Sequence, residues 1–229
     1  MKVRNLFFGA AFCAATVMWN SSVYSQAKDE KKPAAEKPAA AQPAKPGDKA
    51  AGQPSEADMA KMIAAGKPGP EHAKLDSLVG KWNFVTKYRM SPEQPWQESP
   101  GKAEYRWGLG KRILYHEVKA NPSPQDAMMG GPFEGFGMTG YDNMTKKYYN
   151  VWADNMGTGI MSSTGSADSS GKTFTYGSDE YTCPMTGEKK KTKSVLKIAG
   201  DDKVVYEMYD KDPDGKEFMT LEVTYTRQK

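Results

Sequence analysis

The first strand-like run of this chain opens with Gly80-Lys81-Trp82, and the last one ends with Thr224-Tyr225-Thr226-Arg227. About ten short strand-like segments, separated by turn residues, make up this part of the chain, a spacing typical of a β-sandwich or barrel. If the sheet closes on itself, the first and last strands become neighbours and bring Trp82 to Arg227. The guanidinium can then stack on the indole in a cation–π contact and cover one end of the barrel.

The hydrophobic pattern has a period of two from Trp82 onward. Strands are predicted from Trp82 to Met90 and over residues 103–107, 112–119, 133–141, 147–153, 159–166, 173–180, 190–198, 203–209 and 216–226. Short links such as Asp212-Pro213-Asp214-Gly215 require antiparallel neighbours. Closure removes the exposed edges of such a meander. We therefore predict an all-β fold, an up-and-down antiparallel barrel of about ten strands.

A short helical segment is expected before the first strand. Ser55-Glu56-Ala57-Asp58 resembles a capping box, and Met59, Met62 and Ile63 follow at helical spacing. A second short helix is predicted from Pro70, a residue favoured at the first helical position, and it leads to Gly80.

Residues 1–25 have the features of a secretory signal peptide. Lys2 and Arg4 precede an apolar run from Leu6 to Trp19 that is too short to span a bilayer, and small residues follow near Ser25. We expect a periplasmic or secreted protein with no transmembrane segment after cleavage.

Residues 26–54 consist mainly of Ala, Pro, Lys and Glu and contain no aromatic or β-branched residue. Such a segment cannot bury enough apolar surface to offset its ordering entropy, so we predict a disordered tether. Its lysines are candidates for contact with an anionic cell envelope. The predicted barrel domain then spans residues 55–229.

The distribution of charge argues against a nucleic-acid partner. The chain has a formal net charge of +4, to which the signal contributes Lys2 and Arg4, while the tether has six lysines against four acids. The remaining domain is close to neutral and lacks the basic stripe that phosphate binding requires. After signal cleavage Cys183 is the one cysteine left, so no intramolecular disulfide is expected.

An ordered set of short motifs resembles the bacterial DUF1579 family of uncharacterised proteins. The motifs run from Pro70-Glu71-His72 to Arg227 and include Leu78-Val79-Gly80-Lys81-Trp82, Phe133-Glu134-Gly135-Phe136-Gly137-Met138-Thr139-Gly140-Tyr141-Asp142, Tyr149-Asn150-Val151-Trp152, Pro184-Met185-Thr186-Gly187 and Asp214-Gly215-Lys216-Glu217-Phe218. The resemblance implies a lipocalin-like, calycin-type barrel with no established activity.

Among the two histidines, His116 is the candidate for an inward position. It shares parity with Leu114 and Val118 on one predicted strand. A single inward histidine can ligate haem iron, or it can simply be hydrogen-bonded among its neighbours. No pair of histidines has the spacing of a metal site, so no metal is predicted. Haem remains an alternative cofactor.

Aromatic and methionine side chains suit an apolar pocket in the barrel. Alternation predicts that the lining comes from Phe84, Tyr88, His116, Phe136, Tyr148, Trp152, Tyr206 and Met208, with Trp82 and Arg227 plugging the closed end. The segment around Met128 and Met129 is expected to form a flap. No catalytic residue set is recognisable. The leading hypothesis is an exported, non-enzymatic binder of a small apolar ligand; the alternatives are a haem- or metal-binding barrel using His116 and a cell-envelope interaction module.

Overall fold

The computed structural model of the protein describes residues 54–124, 126, 130–183 and 187–229. Three predicted features lie outside the described residues: the signal peptide, the tether except for its last residue, and the flap residues Met128 and Met129. The division into signal, tether and barrel domain, like the predicted flap, therefore stays a prediction.

The strands follow one another around a closed barrel. They are β1 (Gly80–Tyr88), β2 (Gln97–Gly108), β3 (Ile113–Ala120), β4 (Glu134–Asp142), β5 (Lys147–Asp154), β6 (Met161–Ala167), β7 (Thr173–Ser178), β8 (Tyr181–Thr182), β9 (Lys189–Lys190), β10 (Lys193–Gly200), β11 (Lys203–Lys211) and β12 (Glu217–Arg227). All but β8 and β9 belong to the barrel, in the order β1 to β7 and then β10 to β12, and β12 pairs with β1. Every barrel pairing is antiparallel. The predicted ten-strand, up-and-down antiparallel barrel is confirmed.

One small hairpin was not predicted. Strands β8 and β9 pair as a separate two-stranded sheet between β7 and β10. The strand predicted over residues 190–198 includes Lys190, because no Gly, Pro, Asn or Asp marks the break between Lys190 and Lys193.

The register between β1 and β12 places Trp82 directly opposite Arg227. The guanidinium carbon lies 4.1 Å from the centroid of the indole ring, a cation–π distance. Arg227 also donates hydrogen bonds of 2.7 Å to the carbonyls of Ser77, Val79 and Asp201. The planar guanidinium thus ties the end of β12 to the chain segment that enters β1.

Short helices occupy the part of the chain before β1. Helix α1 (Glu56–Ala65) is capped by the Ser55 side chain, which accepts from the backbone N–H of Asp58, and α2 covers Pro70–Ala73. The predicted second helix is thus one α-turn, followed by a 3₁₀ turn at Asp76–Leu78. The apolar side chains of α1 are exposed, so its stripe is not packed against the described domain.

The barrel end next to these turns is solid. Its fully buried side chains include Leu75, Leu78, Trp82, Leu114, Tyr148, Phe174 and Val204. The indole N–H of Trp82 donates to the carbonyl of Leu78 at 2.8 Å, so the ring is held by a polar contact as well as by packing. Burial of this cluster closes one end of the barrel and stabilises the turn that leads into β1.

Replacing Arg227 with alanine removes the ring contact and three charge-assisted hydrogen bonds, and the carbonyls lose their donors. We expect the free energy of unfolding to fall by about 2–4 kcal/mol, measured by urea unfolding followed by circular dichroism. Arg227→Lys should recover little, because an ammonium cannot reproduce the planar fork. Arg106→Ala, which removes an exposed ion pair with Glu117, is the matched control and should cost less than about 1 kcal/mol. Equal effects of the two alanine variants would contradict the structural role of Arg227.

Candidate ligand-binding cavity

A cavity of about 960 Å³ lies inside the barrel. Leu75 and Leu78 from the closed end form its floor, and the chain that follows β3, at Asn121, Pro122 and Ser123, borders its mouth. This volume is at the upper end of the range of 300–1,000 Å³ or so that is typical of small-molecule sites. The interior therefore has room for a ligand as well as for its own side chains.

Six of the side chains predicted to line a pocket border this cavity: Phe84, Tyr88, His116, Trp152, Tyr206 and Met208. They come from four strands, β1, β3, β5 and β11. The alternation of inward and outward positions along each strand brings them to one interior.

Phe136 is on the other side of the sheet. Its ring is 38 % exposed and lies 5.9 Å from the ring of Tyr115 on the outer face. The inward positions of β4 are instead occupied by Gly135 and Gly137, next to Trp152. The predicted inward position of Phe136 is wrong, because a large aromatic between two glycines suggests that the aromatic faces the core.

Tyr148 faces inward but lies below the cavity, in the closed end. Its side chain is fully buried, and its hydroxyl donates to the Glu71 carboxylate at 2.7 Å, beside the Glu71 carbonyl at 2.9 Å. The ring packs edge-on against Phe174. Tyr148 therefore anchors α2 to the barrel and does not line the cavity.

The glycines of β4 make room for an aromatic wall. A Cβ atom built on Gly135 would lie 2.3 Å from Cζ2 of Trp152, and one on Gly137 would lie 3.1 Å from Cε3 of the same indole. A side chain at Gly135 would displace the ring. The glycines of β4 thus allow the close approach of Trp152. They form neither a phosphate-binding loop nor a flexible loop.

His116 lies within an aromatic group at the cavity wall. Its ring stacks on that of Tyr105 at 3.9 Å between centroids with 5° between the planes, and the rings of Trp152 and Tyr225 lie 5.6 and 5.8 Å away. Nε2 is fully buried and has no hydrogen-bond partner among the described residues. Burial lowers the pKa of His116 to about 3, because the charged imidazolium loses its hydration. The imidazole is therefore neutral at physiological pH.

Four tyrosines of the cavity wall are neutral phenols. They are Tyr105, Tyr176, Tyr206 and Tyr225. Burial raises the pKa of each above that of a free phenol, because the phenolate would be desolvated. The aromatic wall contributes hydroxyl groups but no charge.

Small polar side chains line the other side of the cavity. They are Thr139, Asn150, Ser163, Ser178, Thr192 and Ser194, which lie on or beside β4 to β7 and β10. Asn150 Nδ2 donates to Thr139 Oγ1 at 2.8 Å, and Ser178 Oγ accepts from the backbone N–H of Thr192 at 2.8 Å. These residues are absent from the predicted lining, although Asn150 and Ser178 share the parity of Trp152 and Tyr176 on their strands.

The described residues contain neither a metal-binding cluster nor a membrane-spanning helix. No group of three or more His, Cys, Asp or Glu side chains among them is placed to hold a metal ion. Likewise, none of the helices they form is both long enough and apolar enough to cross a membrane.

Comparison with protein families places the chain in a known group. The family model of DUF1579, described as a protein of unknown function, matches residues 67–227. The chain belongs to the DUF1579 family. In this DUF1579 protein the matched region contains α2 and every strand of the barrel.

One solved structure supports the fold of this DUF1579 protein. The chain resembles the crystal structure of Rv2717c from M. tuberculosis with a TM-score of 0.52 and 16 % sequence identity, over 71 % of this chain and 100 % of that one. A redesigned β-barrel matches with a TM-score of 0.36 and 15 % identity, over 68 % of this chain and 96 % of that chain. At this identity the first likeness bears on the fold alone. A search of curated proteins found no match.

The depressed pKa of His116 predicts a pH dependence of stability. The folded-state pKa of about 3 lies below the ordinary value of 6.5, so the unfolded chain takes up a proton as the pH falls through 6.5 and the folded protein does not. Stability is therefore lost as the pH falls from 6.5 toward 3. Between about pH 6 and pH 4.5, wild type should lose about 2 kcal/mol more unfolding free energy than His116→Gln.

The measurement is urea unfolding of both proteins at several pH values. His72 and the carboxyl groups are shared by the two proteins, so their titration cancels in the comparison. Parallel pH profiles would contradict the neutral, buried state of His116.

Proposed function

We propose that this protein is an exported, non-enzymatic binder that holds a small, largely apolar molecule inside its barrel, as lipocalin-like proteins do. The observation that supports this proposal is the cavity of about 960 Å³ with a floor of leucines and walls of aromatic rings. Pockets of this kind, mostly apolar with a few polar groups, are the common form of small-molecule sites. Residues 1–25 support a periplasmic or secreted location.

The arrangement around His116 favours binding over acyl transfer or other nucleophilic chemistry. A general base acts through a hydrogen bond to the group whose proton it takes. Nε2 of His116 has no hydroxyl or thiol partner among the described residues, and its pKa of about 3 makes it a weak base. The described part of the cavity thus contains no activated nucleophile at its one histidine.

Haem binding through His116 is the second candidate function. Iron ligation requires Nε2 to present its lone pair to a metal ion in the cavity. The absence of a hydrogen-bond partner for this nitrogen among the described residues favours ligation. In the structure, however, Nε2 is fully buried in an aromatic group and is not presented to the cavity. The present arrangement therefore does not fit haem iron. Titration with haem decides between the candidates: a Soret band that is lost in His116→Ala would favour haem over an apolar ligand.

Filling the cavity should abolish ligand binding. Ser163 on β6 lines the cavity, so Ser163→Phe places a ring in the space that a ligand would occupy. The probe is N-phenylnaphthylamine, an uncharged dye whose fluorescence rises in apolar surroundings. We expect it to bind wild type and to lose at least about tenfold in affinity in Ser163→Phe.

Ser166→Phe is the matched control, because Ser166 lies on the same strand with an exposed, outward side chain. It should change the dye affinity by less than about twofold. Circular dichroism of both variants checks that the barrel is intact. If the dye does not bind wild type, or binds both variants alike, the interior is not the binding site.

A further inference from the structure

The charges around the cavity have one sign. Among the described residues that line it, none is a lysine or an arginine, and the charged ones are Glu98, Asp126 and Asp154. His116 is neutral because its pKa is about 3, and Tyr105, Tyr176, Tyr206 and Tyr225 are neutral as well. The described wall therefore offers no cation to a negatively charged ligand group.

Asp154 is the acid that the fold holds most firmly at the mouth. It is the last residue of β5. Its Oδ2 accepts from the indole Nε1 of Trp152 at 2.8 Å, and its Oδ1 accepts from the backbone N–H of Met156 at 3.0 Å. No ion pair joins Asp154 to a lysine or arginine of the described chain, so its charge is not cancelled by a neighbour.

The other two acids are differently placed. Glu98 lies 3.5 Å from the ammonium of Lys87, which partly compensates its charge. Asp126 accepts from the backbone N–H and the hydroxyl of Ser123, both at 2.7 Å. These contacts are neutral, so Asp126 adds to the negative potential of the mouth.

The small polar groups of the wall are concentrated on one set of strands. β1, β3 and β12 contribute apolar side chains such as Phe84, Val118 and Val223, whereas β4 to β7 and β10 contribute the hydroxyl and amide groups described above together with large side chains such as Trp152 and Tyr176. A bound molecule with polar atoms along one edge can meet both sides.

We propose that the cavity selects amphipathic ligands without negative charge and disfavours carboxylates, sulfonates and phosphates. This inference rests on the proposed binding function and specifies the chemical class of its ligand. An anion that entered would lose its hydration in a neutral interior without gaining a cation, and it would pass the negative potential of Asp154 at the mouth. An uncharged molecule meets neither obstacle, and a cationic group has a carboxylate to contact at the rim.

The test compares two dyes with nearly the same skeleton, N-phenylnaphthylamine, which is uncharged, and anilinonaphthalenesulfonate, which adds one sulfonate. Fluorescence titrations at low ionic strength give both dissociation constants, and only signal that Ser163→Phe removes is counted as cavity binding. We expect the sulfonate to bind at least about tenfold more weakly than the neutral dye.

Asp154→Asn removes the charge and keeps an oxygen that can accept from Trp152. We expect it to reduce the affinity ratio of the two dyes by about two- to fivefold, the size of an exposed charge interaction. Glu104→Gln is the control, because Glu104 is an exposed acid that does not line the cavity, and it should leave the ratio unchanged.

The outcomes separate the two proposals. If the sulfonate binds within about twofold of the neutral dye, or if Asp154→Asn and Glu104→Gln have the same effect, charge selection is overturned while cavity binding stands. If neither dye gives a signal that Ser163→Phe removes, the binding function itself is overturned.

Discussion

The contact between Trp82 and Arg227 determines how the rest of the structure is arranged. It joins the start of β1 to the end of β12. Hydrogen bonds from Arg227 to the carbonyls of Ser77 and Val79 also fix the turn that leads into β1. Because the first and last strands meet here, the sheet has no free edge. One end of the barrel becomes solid, and the space for a ligand lies above it and opens at the other end.

The composition of the wall follows from this closure. Side chains that face inward near the seal are packed and anchored, as Tyr148 is by Glu71. Farther up, the inward positions are occupied by glycines, small polar residues and aromatic rings, and the space between them forms the cavity. Burial keeps His116 and the tyrosines uncharged, so the charges near a ligand are the acids at the mouth.

The fold was predictable because the barrel strands carry a period of two and most links between them carry recognisable turn residues. The meeting of Trp82 and Arg227 followed from their positions at the two chain ends of a closed sheet. The cavity lining was harder to predict. Phe136 was given the wrong face because the glycines beside it make room for Trp152, a contact between strands that one sequence does not display.

The depth of Tyr148 in the barrel is a second property that was not predicted from the sequence. Its inward face was predictable, but its depth was not, because depth depends on the tilt and register of the strands around the barrel. The inward position of Thr139, Asn150 and Ser163 was not predictable for another reason. Small polar residues are as common on exposed strand faces and in turns as in pockets. Their position is determined by the sheet register.

The barrel interior between the closed end and the mouth is an accessible cavity and not a packed core. A crystal structure of the protein soaked with N-phenylnaphthylamine tests it most directly. We expect electron density for the dye inside the barrel, between Phe84 on one side and Asn150 on the other, with the contact between Trp82 and Arg227 unchanged. An interior filled by the protein's own side chains, with the dye absent or bound on the outer face, would contradict it.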